Sequence, residues 1–324
     1  MSARAASSAL ILTLLIAPGC FRPAQAGPWL PAPGEYYTEL RGAMFSADTY
    51  RNDAGHRIDL GGKWEERSLS SMVELGWKKR LSVVIGAPFV SVTRRDAVGS
   101  ATSTGLEDFL LGFRYGIRQG PTALAAEFDW QAPMGYSRKS SLLADSLRGD
   151  GLQQLSLSLL AGGPVLERGF VQVGTGVGYR YLSIAPGSTD TTIIDKITDS
   201  PPRTWSHKEA LPDEFQPFGV THWSCDFRAS ADAGFWLTPS ILVGGRWNGA
   251  VNLGHGDFMP AQNIQLAGPV VLWRVDDRLD LQVGSWSTAM AKNSLHYDQV
   301  YVTLAFKQTR LNRLQGFLGG TKAP

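Results

Sequence analysis

From Asp108 to Ile117 the chain alternates strictly. Phe109, Leu111, Phe113, Tyr115 and Ile117 share one face, and Asp108, Leu110, Gly112, Arg114 and Gly116 share the other. A period of two predicts a β-strand with one apolar and one mixed face, because successive strand side chains point to opposite sides. The pattern recurs along most of the sequence. Leu124, Ala126, Phe128, Trp130 and Ala132 oppose Ala125, Glu127, Asp129 and Gln131; Val171, Val173, Val177, Tyr179 and Tyr181 oppose Gln172, Gly174, Gly176, Gly178 and Arg180. Phe227, Ala229, Ala231, Ala233 and Phe235 oppose Asp226, Arg228, Ser230, Asp232 and Gly234, and Ile241, Val243, Trp247 and Val251 oppose Arg246, Asn248 and Asn252. Polar faces carry charges of both signs and glycine. Apolar faces end near Trp or Tyr.

Segments of this kind are expected near 36–46, 66–77, 81–93, 105–117, 122–133, 152–162, 169–182, 222–236, 240–253, 264–275, 279–291 and 298–307, twelve in all. Their connections alternate in length. Short ones lie at 78–80, 118–121, 163–168, 237–239 and 276–278; long ones lie at 47–65, 94–104, 134–151, 183–221 and 254–263, with a shorter last one near 292–297. Short inner turns and long outer loops are the signature of a transmembrane antiparallel up-and-down β-barrel with both termini on the inner side. A soluble sandwich has no reason to alternate this way. In a bilayer each unpaired backbone group costs several kcal/mol, so the sheet must close and leave no edge.

The N-terminal residues read as a secretory signal peptide, 1–26. Arg4 is the positive region, Ala9–Ala17 the short apolar run and Ala24-Gln25-Ala26 the small-x-small cleavage pattern, so the exported chain is expected to start at Gly27. Acylation at Cys20 is the rival reading, but Ala17 and Pro18 fit a lipobox poorly. Without Cys20, Cys225 has no partner and reads as an inert barrel residue. After the signal no run of 18 apolar residues occurs, which excludes a helical span. The barrel is expected over 27–307 and a periplasmic tail over 308–324. The net charge of +2, without a basic cluster, argues against a nucleic-acid partner.

Several local patterns together resemble one family. Thr104-Gly105-Leu106-Glu107-Asp108-Phe109-Leu110-Leu111-Gly112-Phe113-Arg114-Tyr115 resembles the GLGD-x-x-LG-x-(R/K)-Y strand of the outer-membrane barrels of the MetA pathway of phenol degradation, which are described as transporters. Arg80–Val90 is similar to that family's strand with a Pro-aromatic element, here Pro88-Phe89. Ala132-Pro133-Met134-Gly135-Tyr136, Gly176-Val177-Gly178-Tyr179-Arg180 and Lys292-Asn293-Ser294 are similar to three more of its elements, in the same order, across residues 60–306. Two features depart from it: Glu107 replaces the second glycine of GLGD, and Lys307–Pro324 follows the last strand, which in the family ends the chain on an aromatic. The resemblance implies a pore for small, hydrophobic or aromatic compounds in the outer membrane of a Gram-negative bacterium. It names no substrate and no binding residues.

Geometry sends Arg41, Arg114, Glu127, Asp129, Arg180, Arg228, Asp232 and Arg246 inward, so they are the candidate lumen-lining residues. They read either as a ladder that tunes solute passage or as a mutually paired plug. The long 183–221 connection, with Pro201-Pro202 and Trp205, either constricts the lumen or covers its mouth. His222-Trp223-Ser224, with Asn248 and Asn252 on the next strand, is the one pattern with catalytic potential, a serine activated by histidine as in outer-membrane lipid hydrolases. Cys225-Asp226-Phe227 stand where those enzymes continue Ser-Asn-Gly, and a non-catalytic strand end is the reading taken. A closed structural or surface-interaction barrel is the third class. His56, His207, His255 and His296 are scattered, and Asp48, Asn52, Asp53 and Asp59 read as a solvated loop rather than a cation site, so neither metal nor cofactor is expected. Gly174, Gly176 and Gly178 are not followed by a helix; alternate small residues on a lumen face make room for a neighbouring side chain or an inserted segment. The expected partners are outer-membrane lipids and lipopolysaccharide, the barrel-assembly machinery and a small-molecule solute.

Overall fold

The computed structural model describes residues 27–52, 54–96, 99–134, 153–181, 223–255 and 262–308. The described residues form one antiparallel sheet: β1 (Tyr36–Arg51), β2 (Arg57–Lys78), β3 (Leu81–Asp96), β4 (Ser100–Leu106), β5 (Asp108–Arg118), β6 (Ala123–Pro133), β7 (Gln153–Val165), β8 (Gly169–Tyr181), β9 (Trp223–Trp236), β10 (Ile241–His255), β11 (Asn263–Arg274), β12 (Leu279–Lys292) and β13 (Ser294–Gln308). Apart from β4 and β5, which both pair with β3, each strand pairs with its sequence neighbours; β13 pairs with β1, and the sheet closes.

Thirteen segments make twelve staves, because β4 and β5 share one partner. β5 pairs with β3 as far as Gly86↔Leu110, and β4 resumes at Phe89↔Leu106. Between them lies Pro88, which has no N–H to offer the ladder; its carbonyl accepts from Glu107 N at 3.1 Å. The stave therefore bulges at Glu107, the position where the resembled family carries glycine. Stepping through the registers once round returns to β1 about fourteen residues displaced, which sets a strand tilt of about 40°.

The sequence periodicity maps onto this cylinder. Leu40, Met44, Val73, Leu75, Ile85, Phe113, Leu157, Val177, Phe227, Val271, Val302 and Leu304 form an exposed outer belt. Trp77, Tyr115, Phe235, Trp273 and Phe306 rim its inner edge. Phe89, Trp130, Tyr179, Tyr181 and Trp223 rim the outer edge, where the Tyr179 ring stacks on Tyr181 at 5.8 Å and on Trp223 at 6.3 Å between centroids. On β2 the belt runs from Leu69 to Trp77, about 20 Å along the barrel axis at that tilt. Above it the outward face turns polar: Ser91 bonds Thr104 at 2.9 Å, Thr93 bonds Thr102 at 3.1 Å, and Lys63 pairs with Glu65 at 2.6 Å. An apolar band between aromatic girdles, with no open edge, is a transmembrane β-barrel.

Connections expected as long loops prove partly strand. Most of 47–65 belongs to a tall β1–β2 hairpin that turns at residues 52–56, and most of 94–104 belongs to β3 and β4. Near 292–297 only Asn293, at φ 49°, interrupts the ladder. These stretches lack an apolar face because they rise above the bilayer, so alternation could not reveal them. Residues 135–151 and 183–221 of the long connections, the signal, Cys20, Asp53, His207, His222 and the tail beyond 308 lie outside the described residues.

Candidate functional site: the barrel lumen

All eight charged residues singled out from the sequence stand on inward positions, and four networks organise the inward face. On β2, β3, β5 and β6, Glu74 is fully buried; it accepts from Ser82 Oγ at 2.6 Å and from Arg114 Nη1 at 2.7 Å. Arg114 also binds Glu127 through Nε, and the Asp129 carboxylate lies over Gly112. Toward the outer mouth Arg180 meets Asp226 at 3.1 Å, Asp226 accepts from Ser224 Oγ at 2.9 Å and Asn252 Nδ2 at 3.1 Å, and Arg228 donates to Gln154 at 2.6 Å. Nearer the inner mouth on the same strands, Asp232 of β9 accepts from Gln172 of β8 at 2.6 Å and faces Arg246 of β10 at 3.6 Å. Arg246 reaches the Tyr301 hydroxyl at 3.4 Å, and Arg41 lies 4.0 Å over the Tyr301 ring. At the inner mouth Asp280 is held by Arg274 at 3.4 Å and by Lys307, and Arg274 lies 4.5 Å over Trp236.

Charges in this low-dielectric setting persist because each is matched or hydrogen-bonded. Sequence reasoning put Asp226 on a polar strand face without making it a lumen candidate, and missed Glu74, Asp280 and Tyr301. The parity of each strand would have found them: Glu74 alternates with Val73 and Leu75, whose outward places in the belt are unmistakable.

A second missed feature is residues 27–35, which the sequence reading assigned no role. Gly34 N donates to Gly76 O at 2.8 Å and Gly76 N to Glu35 O at 2.9 Å, fixing one end at β2. Leu30 N donates to Gln119 Oε1 at 3.1 Å, Gln119 Nε2 to Pro28 O at 3.0 Å, and Trp29 Nε1 to Gly120 O at 3.0 Å, all at the β5–β6 turn. The Trp29 ring fills the notch of Gly162 on β7, where a Cβ would stand 2.5 Å away, and Gly27 abuts Gln172 on β8. The segment is thus a strap across the inner mouth, from β2 to β8, and its Pro28 is fully buried. The lumen glycines behave as expected: Gly174 makes room for Ser230 at 2.6 Å from a would-be Cβ, and Gly178 for Arg228 at 2.6 Å.

The networks leave space between them. Trp286, Tyr301, Ala43 and Leu266 pack together on one wall. Facing β6–β11 is a cavity of about 300 Å³, with Arg228, Glu127 and Asn248 among its polar walls and Leu160, Ile264 and Leu266 among its apolar ones.

Ser224 is fully buried on the inward face, its proton engaged by Asp226; Asn252, not Asn248, reaches it, at 3.0 Å. A lipid bound to the outer wall has no path to that hydroxyl. In the first hairpin Asp48 pairs with Arg57 at 3.5 Å and Asp59 accepts from Gly61 N at 2.8 Å. Among the described residues no group of His, Cys, Asp and Glu is arranged to hold a metal. Cys225 is a free thiol on the outward face of β9.

No protein-family profile and no characterised protein sequence matches the chain. Among solved structures, an outer-membrane channel from Pseudomonas putida F1 superposes with a TM-score of 0.64 at 12% identity, covering 89% of this chain and 100% of that one. The translocator domain of the autotransporter NalP from Neisseria meningitidis follows at TM-score 0.48 and 9% identity, covering 94% of this chain and 95% of that one. The NanC porin follows at 0.45 and 8%, covering 84% of this chain and 100% of that one. Only the first is close enough to argue from, and what it shares is the fold: this chain is an outer-membrane-type barrel.

Proposed function

We propose that this chain is an outer-membrane channel for passive passage of small molecules, exported by a signal peptide cleaved before Gly27 and allied to the transporter family its motifs resemble. One observation carries the reading. The inward face is built of charged and hydrogen-bonded side chains that hold one another against the wall and leave a cavity of about 300 Å³, whereas a purely structural barrel gains nothing by keeping such a space open. Arg41, Arg114, Glu127, Asp129, Arg180, Arg228, Asp232 and Arg246 form the charged lining that solutes pass. The strap narrows the inner mouth, so passage is selective for small solutes. The wall contacts outer-membrane lipid, the polar upper hairpins meet lipopolysaccharide, and the barrel-assembly machinery inserts the chain.

Liposome swelling tests this. Proteoliposomes containing protein shown to be folded by heat-modifiable gel migration should swell in small sugars and amino acids faster than empty liposomes. Swelling no faster than empty liposomes, with folded protein present, refutes the channel.

A further inference from the structure

Arg228 differs from Arg114 and Arg180 in its carboxylate partners. Arg114 has two carboxylates against it and Arg180 has Asp226 at 3.1 Å, but Arg228 has its nearest carboxylate, Asp226, only at 4.0 Å. Its one hydrogen bond among the described residues is to the neutral Gln154, through Nη2; its Nε, like those of Arg180 and Arg246, is buried without a hydrogen-bond partner. The side chain lies across Gly178, is 33% exposed, and helps line the cavity. A partly desolvated guanidinium with spare donors is under-compensated, and a carboxylate is the group whose geometry its planar fork matches. Around it, Arg180, Asp226 and Asp129 are the charged neighbours, and Arg180 and Arg228 share the single Asp226. Glu127, at the cavity's other side, is already engaged by Arg114. The remaining walls supply hydrocarbon: Leu160 from β7, and Ile264 and Leu266 from β11.

We infer that this recess is a binding subsite for small amphipathic monoanions, whose carboxylate engages Arg228 while the hydrocarbon body lies against Leu160, Ile264 and Leu266. The inference deepens the channel reading, since a solute would pause here on its way through, but binding itself does not require conduction. Charge and apolar contact act together. A short acid such as acetate lacks the body, and an alcohol of equal length lacks the charge.

The test is equilibrium binding of hexanoate to the full chain in lipid nanodiscs, by calorimetry or saturation-transfer NMR, with empty nanodiscs as blank. Hexanoate should bind saturably, and acetate and hexan-1-ol at least about tenfold more weakly. Arg228→Gln should weaken hexanoate about tenfold or more, the value of one charge-assisted contact, whereas Arg228→Lys should retain most of the affinity. Leu160→Gln should weaken hexanoate and leave acetate unchanged, which keeps the test valid if Arg228→Gln fails to fold. Equal binding of hexan-1-ol, or undiminished binding by folded Arg228→Gln, overturns the inference. A barrel that binds hexanoate but never conducts would refute the channel and keep the subsite; one that conducts without binding would do the reverse.

Discussion

Arg114→Met puts the largest single strain on the inward face. Arg114 is 12% exposed and stands between Glu74, 0% exposed, and Glu127, 13% exposed. Removing the guanidinium leaves Glu74 with only the Ser82 hydroxyl, in a setting closed to water. Breaking a buried pair from one side costs about 3–5 kcal/mol, most of it the penalty of the stranded charge. The two carboxylates should not suffer equally, because Glu127 can turn toward the wet cavity that it lines and Glu74 cannot. Adding Glu74→Gln to Arg114→Met should therefore restore about 1–3 kcal/mol, the cost of an unsatisfied buried polar group, and adding Glu127→Gln distinctly less. Tryptophan-detected urea unfolding in lipid vesicles, read by linear extrapolation, measures all three variants. If Arg114→Met lies within about 1 kcal/mol of wild type, or both rescues are equal, the network does not hold Glu74 as described.

Other consequences follow from the same geometry. Leu157→Arg, outward between Phe128 and Val177, should cost about 2–4 kcal/mol in the same unfolding assay, while Ser158→Arg, one residue on and inward, should cost less and instead slow swelling. Trp29→Ala empties the Gly162 notch and loses the bond to Gly120, so it should speed swelling for larger solutes at unchanged fold; an unaltered size cut-off would show that the strap does not narrow the mouth. Tyr301→Ala removes one contact each of Arg41 and Arg246 and should enlarge single-channel conductance, with no change expected for Tyr301→Phe beyond the lost 3.4 Å hydrogen bond from Arg246.

Much of this architecture was legible in the alternation of residues such as Phe109 to Ile117 and Val171 to Tyr181. A strand wetted by lipid on one side and a polar lumen on the other must show it. Legibility failed where that environment stops. Glu65, Arg67, Ser91 and Thr93 face outward above the girdle, where no lipid demands an apolar residue, so the tops of β2 and β3 carry no period. The break at Glu107 had a local signal in Pro88 on the neighbouring strand, but only the register shows that the two are opposite. The strap was hardest: Gly27-Pro28-Trp29-Leu30-Pro31 has no repeat, and its seats, Gly76 and Gly162, are distant in sequence and resemble any other lumen glycine. For the site, the charges were visible one by one. Which of them remains under-compensated depended on distances, and separates Arg228 from Arg114 and Arg180.

The central claim is that the mixed face surrounds water and the apolar face meets lipid, and substituted-cysteine accessibility tests it most directly. In a Cys225→Ser background, Ser158→Cys on β7 and Ser230→Cys on β9 point into the cavity, whereas Leu157→Cys and Leu159→Cys point to the bilayer. A charged, membrane-impermeant thiol reagent added to the reconstituted protein should modify both serine positions and neither leucine position. Equal reactivity at all four positions, or modification at the leucines alone, would contradict the account.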